Sequence, residues 1–295
     1  MAFDFGNIYT VEFFIQKENG LFYKITMALE VQEILKNMIE QTLFDLGRDI
    51  KDYYPSEKYN SEDKLKVELD SDYSQNLLEI YNNNDMAVDN QQIVDSPEDI
   101  IYYFCRITDA ENETLLAVKK ATYFKAVTAQ HAWYVQFIHD ALEPFSGSLF
   151  KLDKSFDILV YDNIVYINKY LVFESIAGLS EAVMQASVEN MRIIEHSTPL
   201  IVFSEDAKAY IQNHIMASRL VASIKSSGKL ENLSLDEVIQ ACRKQNIAIN
   251  IQNGQISFDA NNTMNFLKLM DRRLFTINLT GEEEKYEAKS RQERL

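Results

Sequence analysis

The 295-residue chain is 46% hydrophobic and carries only eight Gly and four Pro, which excludes a disordered protein and the extended linkers of a beads-on-a-string arrangement. No run approaches the roughly 18 apolar residues that a bilayer span needs, and "MAFDFGNIYT" lacks the basic start and apolar core of a secretory signal, so a cytoplasmic location is expected. The net charge of −16 opposes nucleic acid in bulk, yet it is uneven: residues 1–100 hold 8 Lys and Arg against 21 Asp and Glu, while from Glu205 onward the tally is 13 against 12.

In chain order, "NIYTVEFFIQK", the turn "ENG" and "LFYKITM" predict a first hairpin. Val31, Ile34, Leu35, Met38, Ile39 and Leu43 then fall at helical spacing, with Gly47 placed to end the helix. Between Lys51 and Asp95, "SDYSQNLLEIYNNND" predicts one short amphipathic helix before an irregular connection, and a domain division is expected at residue 97. That gives an acidic N-terminal region, 1–97, and an α+β domain, 98–295.

The second region opens with "DIIYYFCRI" and "TLLAVKKAT", an antiparallel pair; "VTAQHAWYVQFIHDAL" reads as a short helix or loop, and "SLFKLD" and "FDILVYD" as strands. Asp162-Asn163 makes a two-residue turn between "FDILVY" and "IVYIN". These strands are apolar on both sides, so the sheet should be covered on both faces, with helices on at least one. Two long helices, "FESIAGLSEAVMQASVENMRIIEH" and "SEDAKAYIQNHIMASRLVASIKSSG", flank "STPLIVF". A capped helix from "SLDEVIQACRKQN", a hairpin around Asn253-Gly254, a helix in "NNTMNFLKLMDRRL", a strand "FTINLT" and a charged tail, helical or loose, complete the chain. The fold class is therefore α+β: a hairpin-plus-helix region followed by an antiparallel sheet covered by several helices.

A metal-dependent nuclease needs carboxylates that converge on a cation with a lysine nearby. Asp157, Asp162 and Glu174 are the first candidates, but Glu174 is followed by Ser175-Ile176 rather than by a strand bearing Glu-x-Lys. Asp162 reads as the turn residue and Glu174 as a first-turn acid on a helix, leaving Asp157 as a candidate functional acid. A second candidate set, Glu111 and Glu113 with Lys119 and Lys120, has two successive strand lysines that face opposite sides, so at most one serves a site. His131, His139, His196 and His214 never stand at i, i+4, and Cys105 and Cys242 read as core thiols. Phosphate-binding loops, dinucleotide fingerprints and nucleophile elbows are missing, so no metal or cofactor is expected and a binder is favoured over an enzyme. The candidate phosphate contacts are Lys119, Lys120, Lys225, Lys229, Arg243, Lys244, Arg272 and Arg273, with Lys285, Lys289, Arg291 and Arg294 in the tail.

"FDILVYDNIVYINK", the Phe173-Glu174 pair in "FESI", and "FLKLMDRRLFTINLTGEEEKYEAKSR", with Asp271 ahead of a short strand, form an ordered set over residues 98–290. In that order they resemble the KwaB-like family of the Kiwa anti-phage defence system. The resemblance implies a cytoplasmic protein that binds DNA, forms homo-oligomers, and acts with KwaA, a small partner with several transmembrane helices, which would recruit it to the inner face of the cell membrane. The chain departs from the family's often basic tail, placing Glu282, Glu283 and Glu284 there. Two alternatives stand beside a non-enzymatic defence effector: a metal-dependent nuclease, and a protein-interaction module without DNA affinity.

Overall fold

The structure is a computed structural model that describes residues 3–47, 49–83, 87–89, 99–122, 135–138, 141–144, 150–228, 233–278 and 283–288. In chain order the elements are β1 (Ile8–Lys17), β2 (Phe22–Ile25), α1 (Leu29–Leu46), β3 (Lys51–Asp52), β4 (Leu65–Glu68), α2 (Gln75–Asn82), β5 (Ala87–Asp89), β6 (Ile100–Asp109), β7 (Thr114–Lys120), β8 (Val135–Ile138) and β9 (Ala141–Pro144). They continue with β10 (Ile158–Tyr161), β11 (Ile164–Ile167), α3 (Tyr170–Ile176), α4 (Ser180–Ser197), α5 (Glu205–Gln212), α6 (Ile215–Ser226), α7 (Leu235–Gln245), β12 (Asn250–Gln252), β13 (Gln255–Ser257), α8 (Ala260–Met270), β14 (Leu274–Ile277) and β15 (Glu284–Glu287). The α+β class is as expected. None of the described helices is long and apolar enough to cross a membrane.

By contacts the chain forms two compact units, one of residues 1–53 and 61–177 and one of residues 54–60 and 178–295. The first is built on a nine-stranded sheet in the order β3-β4-β11-β10-β7-β6-β1-β2-β5, antiparallel except for the β3/β4 and β2/β5 pairs at its ends. A domain division was expected at residue 97, whereas the sheet of this unit takes strands from both sides of that position.

Two rows of cross-strand neighbours explain why these strands read as apolar throughout. Phe13, Cys105, Ala117, Leu159 and Tyr166 lie side by side across five strands and belong to the core completed by Leu35, Met38 and Ile39 of α1. On the opposite face, Phe14, Phe104, Val118, Ile158, Ile167 and Leu65 form the matching row. There α2 and α3 attach: Arg106 of β6 donates through Nη2 to the carbonyls of Ile80, Tyr81 and Asn83, and the Tyr102 hydroxyl donates to Ser175 Oγ at 2.8 Å. Helices on both faces remove the need for a polar side.

The second unit is mainly helical. Its core joins Met191 and Ile194 of α4, Leu220, Val221 and Ile224 of α6, Cys242 of α7, and Phe266 and Leu267 of α8, with Phe258 stacked on Phe266 at 4.1 Å between ring centres. Ser204 caps α5 by accepting from Ala207 N, and Asp259 caps α8 by accepting from Asn262 N.

Several local expectations need correction. The stretch from "FESI" to "IIEH" is two helices, because Gly178 takes φ 71° and ends the run between α3 and α4. The helix expected from Ser204 to Gly228 also divides: Asn213 Nδ2 donates to Ala209 O, the Asn213 backbone N–H bonds the carbonyls of Ile211 and Tyr210, and α5 closes before His214. Glu174 is not a first-turn acid. Because α3 starts at Tyr170, Glu174 is its fifth residue, buried, and accepts a hydrogen bond from the Tyr53 hydroxyl at 3.0 Å. Part of "VTAQHAWYVQFIHDAL" pairs as β8 and β9 rather than forming a helix or loop, and residues 150–153 of "SLFKLD" carry no strand.

Both cysteines are fully buried, and burial pushes the Cys105 thiol up to about 12 and the Cys242 thiol up to about 11. A thiol reagent at pH 8 should therefore label neither in the native protein and both in denaturant, read by mass. Both groups hold their protons more tightly when folded, so their contribution to stability is complete below the ordinary thiol value of 9.0 and declines as pH rises past it.

Candidate nucleic-acid interface

The division into units sharpens the charge asymmetry. The first unit carries 14 Lys and Arg against 29 Asp and Glu, net −15; the second carries 15 against 16, net −1. A polyanion meets strong repulsion from the first and almost none, in sum, from the second.

Among the predicted contacts, Lys119 and Lys120 belong to the acidic unit and, as expected for neighbours on a strand, face opposite sides. Lys119 Nζ reaches Asp157 Oδ1 at 2.8 Å and Asp153 Oδ2 at 4.0 Å, with little of its side chain exposed. The other Asp157 oxygen accepts from the backbone N–H of Lys120 at 3.0 Å, and the Asp157 carbonyl accepts from Asn168 N and Lys169 N. With a residue exposure of 3%, Asp157 thus ties the end of β7 to the start of β10 and to the β11–α3 junction. Asp153 is engaged beside it. Burial opposes its ionised form, but a hydrogen bond from Lys151, the nearby Lys119 charge and the Thr122 hydroxyl outweigh this and lower its pKa. Among the described residues no group of three His, Cys, Asp or Glu could hold a metal ion.

The remaining candidates lie in the second unit. Lys225 of α6 is turned inward, donating to Glu57 Oε1 at 2.7 Å and to Ser56 O at 3.1 Å. Arg243 and Lys244 are exposed on the last turn of α7, where two cations also suit the carbonyl end of the helix dipole. The helix closes at Asn246, which takes a left-handed conformation with φ 58°. Arg272 is exposed and also left-handed, φ 59°, in the turn after α8. Its neighbour Arg273 donates through Nε to Asp271 Oδ2 at 2.6 Å, while the other Asp271 oxygen accepts from Ser223 of α6. Lys229, Lys289, Arg291 and Arg294 lie outside the described residues.

These positions converge on one feature, the β14–β15 hairpin. Its β14 strand packs against α7 and α8, Gln245 Nε2 reaches Thr276 Oγ1 at 3.5 Å, and Lys285 lies across the strands from Thr276. Lys268 of α8 pins β15 through Glu287 at 2.8 Å, and Phe275 stacks on Tyr286 on the exposed hairpin face. The end of α7, the turn after α8 and this hairpin thus bring Arg243, Lys244, Arg272 and Lys285 onto adjoining elements. Sequence reasoning missed Asp271 as the residue that fixes the turn, although the Asp-Arg-Arg triplet was visible; nothing in the sequence indicated that Lys225 is spent on Glu57.

A family model described as Kiwa protein KwaB-like matches residues 97–280, more than half of the chain. No curated protein and no solved structure matches it.

Proposed function

Because the chain belongs to the Kiwa protein KwaB-like family, whose setting is anti-phage defence, we propose that it binds DNA without cutting it, as an oligomer that works with a membrane-embedded partner. The observation that carries the DNA part is the separation of charge: a second unit of net −1 with exposed Arg243, Lys244, Arg272 and Lys285 on adjoining elements, as against −15 for the first unit. Phosphate contacts of this kind position a protein on DNA without reading bases. The acidic unit favours basic protein surfaces and keeps DNA on the other unit.

The test is a titration of the full chain against labelled duplex DNA at several salt concentrations, with and without Mg²⁺, with the same samples run on a gel. Four phosphate contacts give a log–log salt slope of roughly −3.6, an affinity loss of about 10²-fold between 50 and 200 mM salt. Replacing both Arg243 and Lys244 with glutamate should lower the magnitude of the slope by roughly 1.8 and weaken binding on every sequence tried. Cleaved DNA would overturn the non-enzymatic reading, and absence of binding at low salt would overturn DNA binding by the isolated chain.

A further inference from the structure

We propose that the outward face of α1 is a docking surface for a basic amphipathic segment of a protein partner; this rests on the partner half of the reading above and gives it a location. The inward face is fully used, since Leu35, Met38, Ile39 and Leu46 enter the core under the sheet. The opposite face holds exposed apolar groups: Phe44 is 81% exposed, Leu29 75% and Ile34 50%. Spacings of three and four put Glu30, Ile34, Asn37, Gln41 and Phe44 in one row, with Glu33 and Glu40 beside it. From Glu30 to Phe44 the row is about 21 Å long.

The charge on this face selects the occupant. The helix carries Glu30, Glu33, Glu40 and Asp45 against a single cation, Lys36, which pairs with Glu33 at 2.7 Å. Among the described residues Glu30 and Glu40 form no ion pair. Exposed Leu29, Ile34 and Phe44 set among carboxylates, on a unit of net −15, repel DNA and anionic lipid and match a segment that presents Lys or Arg together with apolar residues at helical spacing. Multi-span membrane proteins concentrate Lys and Arg in their cytoplasmic loops, so a membrane-embedded partner supplies this chemistry in the right compartment.

The test uses full-length protein, native by circular dichroism, and membranes from cells that make or lack the KwaA-like partner. Wild-type chain should sediment with partner-containing membranes only. The variants Phe44→Ser with Ile34→Ser, and Glu33→Lys with Glu40→Lys, should bind at least about tenfold more weakly, with DNA titrations unchanged. A labelled 18-residue peptide with Leu on one helical side and Lys on the other should bind wild type and lose affinity for the same variants. Variants that sediment as well as wild type would overturn this surface and leave the partner reading standing, whereas wild type that ignores partner-containing membranes would end both. A wild-type dimer that dissociates on Phe44→Ser would overturn the proposal by assigning the face to a second copy of the chain.

Discussion

Asp157→Ala should destabilise the first unit by about 3 kcal/mol, at the lower end of the range for breaking a buried ion pair. The substitution strips Lys119 of its 2.8 Å partner and the Lys120 N–H of its acceptor; Asp153, at 4.0 Å, remains as a weaker counter-ion, which limits the loss. A chain of two units need not unfold in one step, so the measurement is native-state hydrogen exchange of the β7 and β10 amides rather than a single midpoint. The double replacement Asp157→Leu with Lys119→Met should recover much of the stability, because no uncompensated charge is left behind. DNA cleavage by the wild type that is lost in a fully stable Asp157→Ala variant would reverse the reading and make Asp157 a functional acid.

Arg106→Met should destabilise α2 by about 2–3 kcal/mol, the loss of charge-assisted hydrogen bonds at a buried helix end. Arg106 is 6% exposed and gives Nη2 to three carbonyls, those of Ile80, Tyr81 and Asn83, at the end of α2, with its guanidinium 5.6 Å from the Phe14 ring. Burial lowers its pKa, and the nearby Glu12 charge partly restores it. Methionine keeps the bulk but leaves the carbonyls without a donor, so α2 amides should exchange faster while β10 and β11 amides hardly change. Arg106→Lys should recover only part of the loss, because a single ammonium cannot reproduce the planar fork. Equal protection of α2 in the methionine variant would refute this account.

The elements that could be read from the chain alone are those whose signals are local. Asp162-Asn163 and Asn253-Gly254 all take positive φ and close the hairpins expected of them. The β6–β7 pair and α1 follow from apolar period alone. Short strands in polar surroundings were not legible: β3 and β4 lie in a stretch for which no element was expected and β5 in one expected to be an irregular connection, because pairing along the sheet, not composition, makes them strands. The site was legible only as residue types. That Arg243 and Lys244 stand exposed on a helix end while Lys225 and Lys119 serve Glu57 and Asp157 is decided by partners 38 or more residues away in the chain.

The order in which the sheet is filled has a consequence for synthesis. β4 pairs with β11 through Glu68 and Ile164, so its partner leaves the ribosome 96 residues later (164 against 68). At ordinary translation rates that is a wait of roughly 5–20 s. During it the nascent chain presents a strand edge open to pairing with any neighbour on the same message. The sequence of that edge, "LKVE", sets Lys66 and Glu68 beside its two apolar residues, and Asp70 and Asp72 follow at once. Charges so placed discourage strand-to-strand association between unfinished chains, so part of the acidity of the first hundred residues acts before the protein is complete.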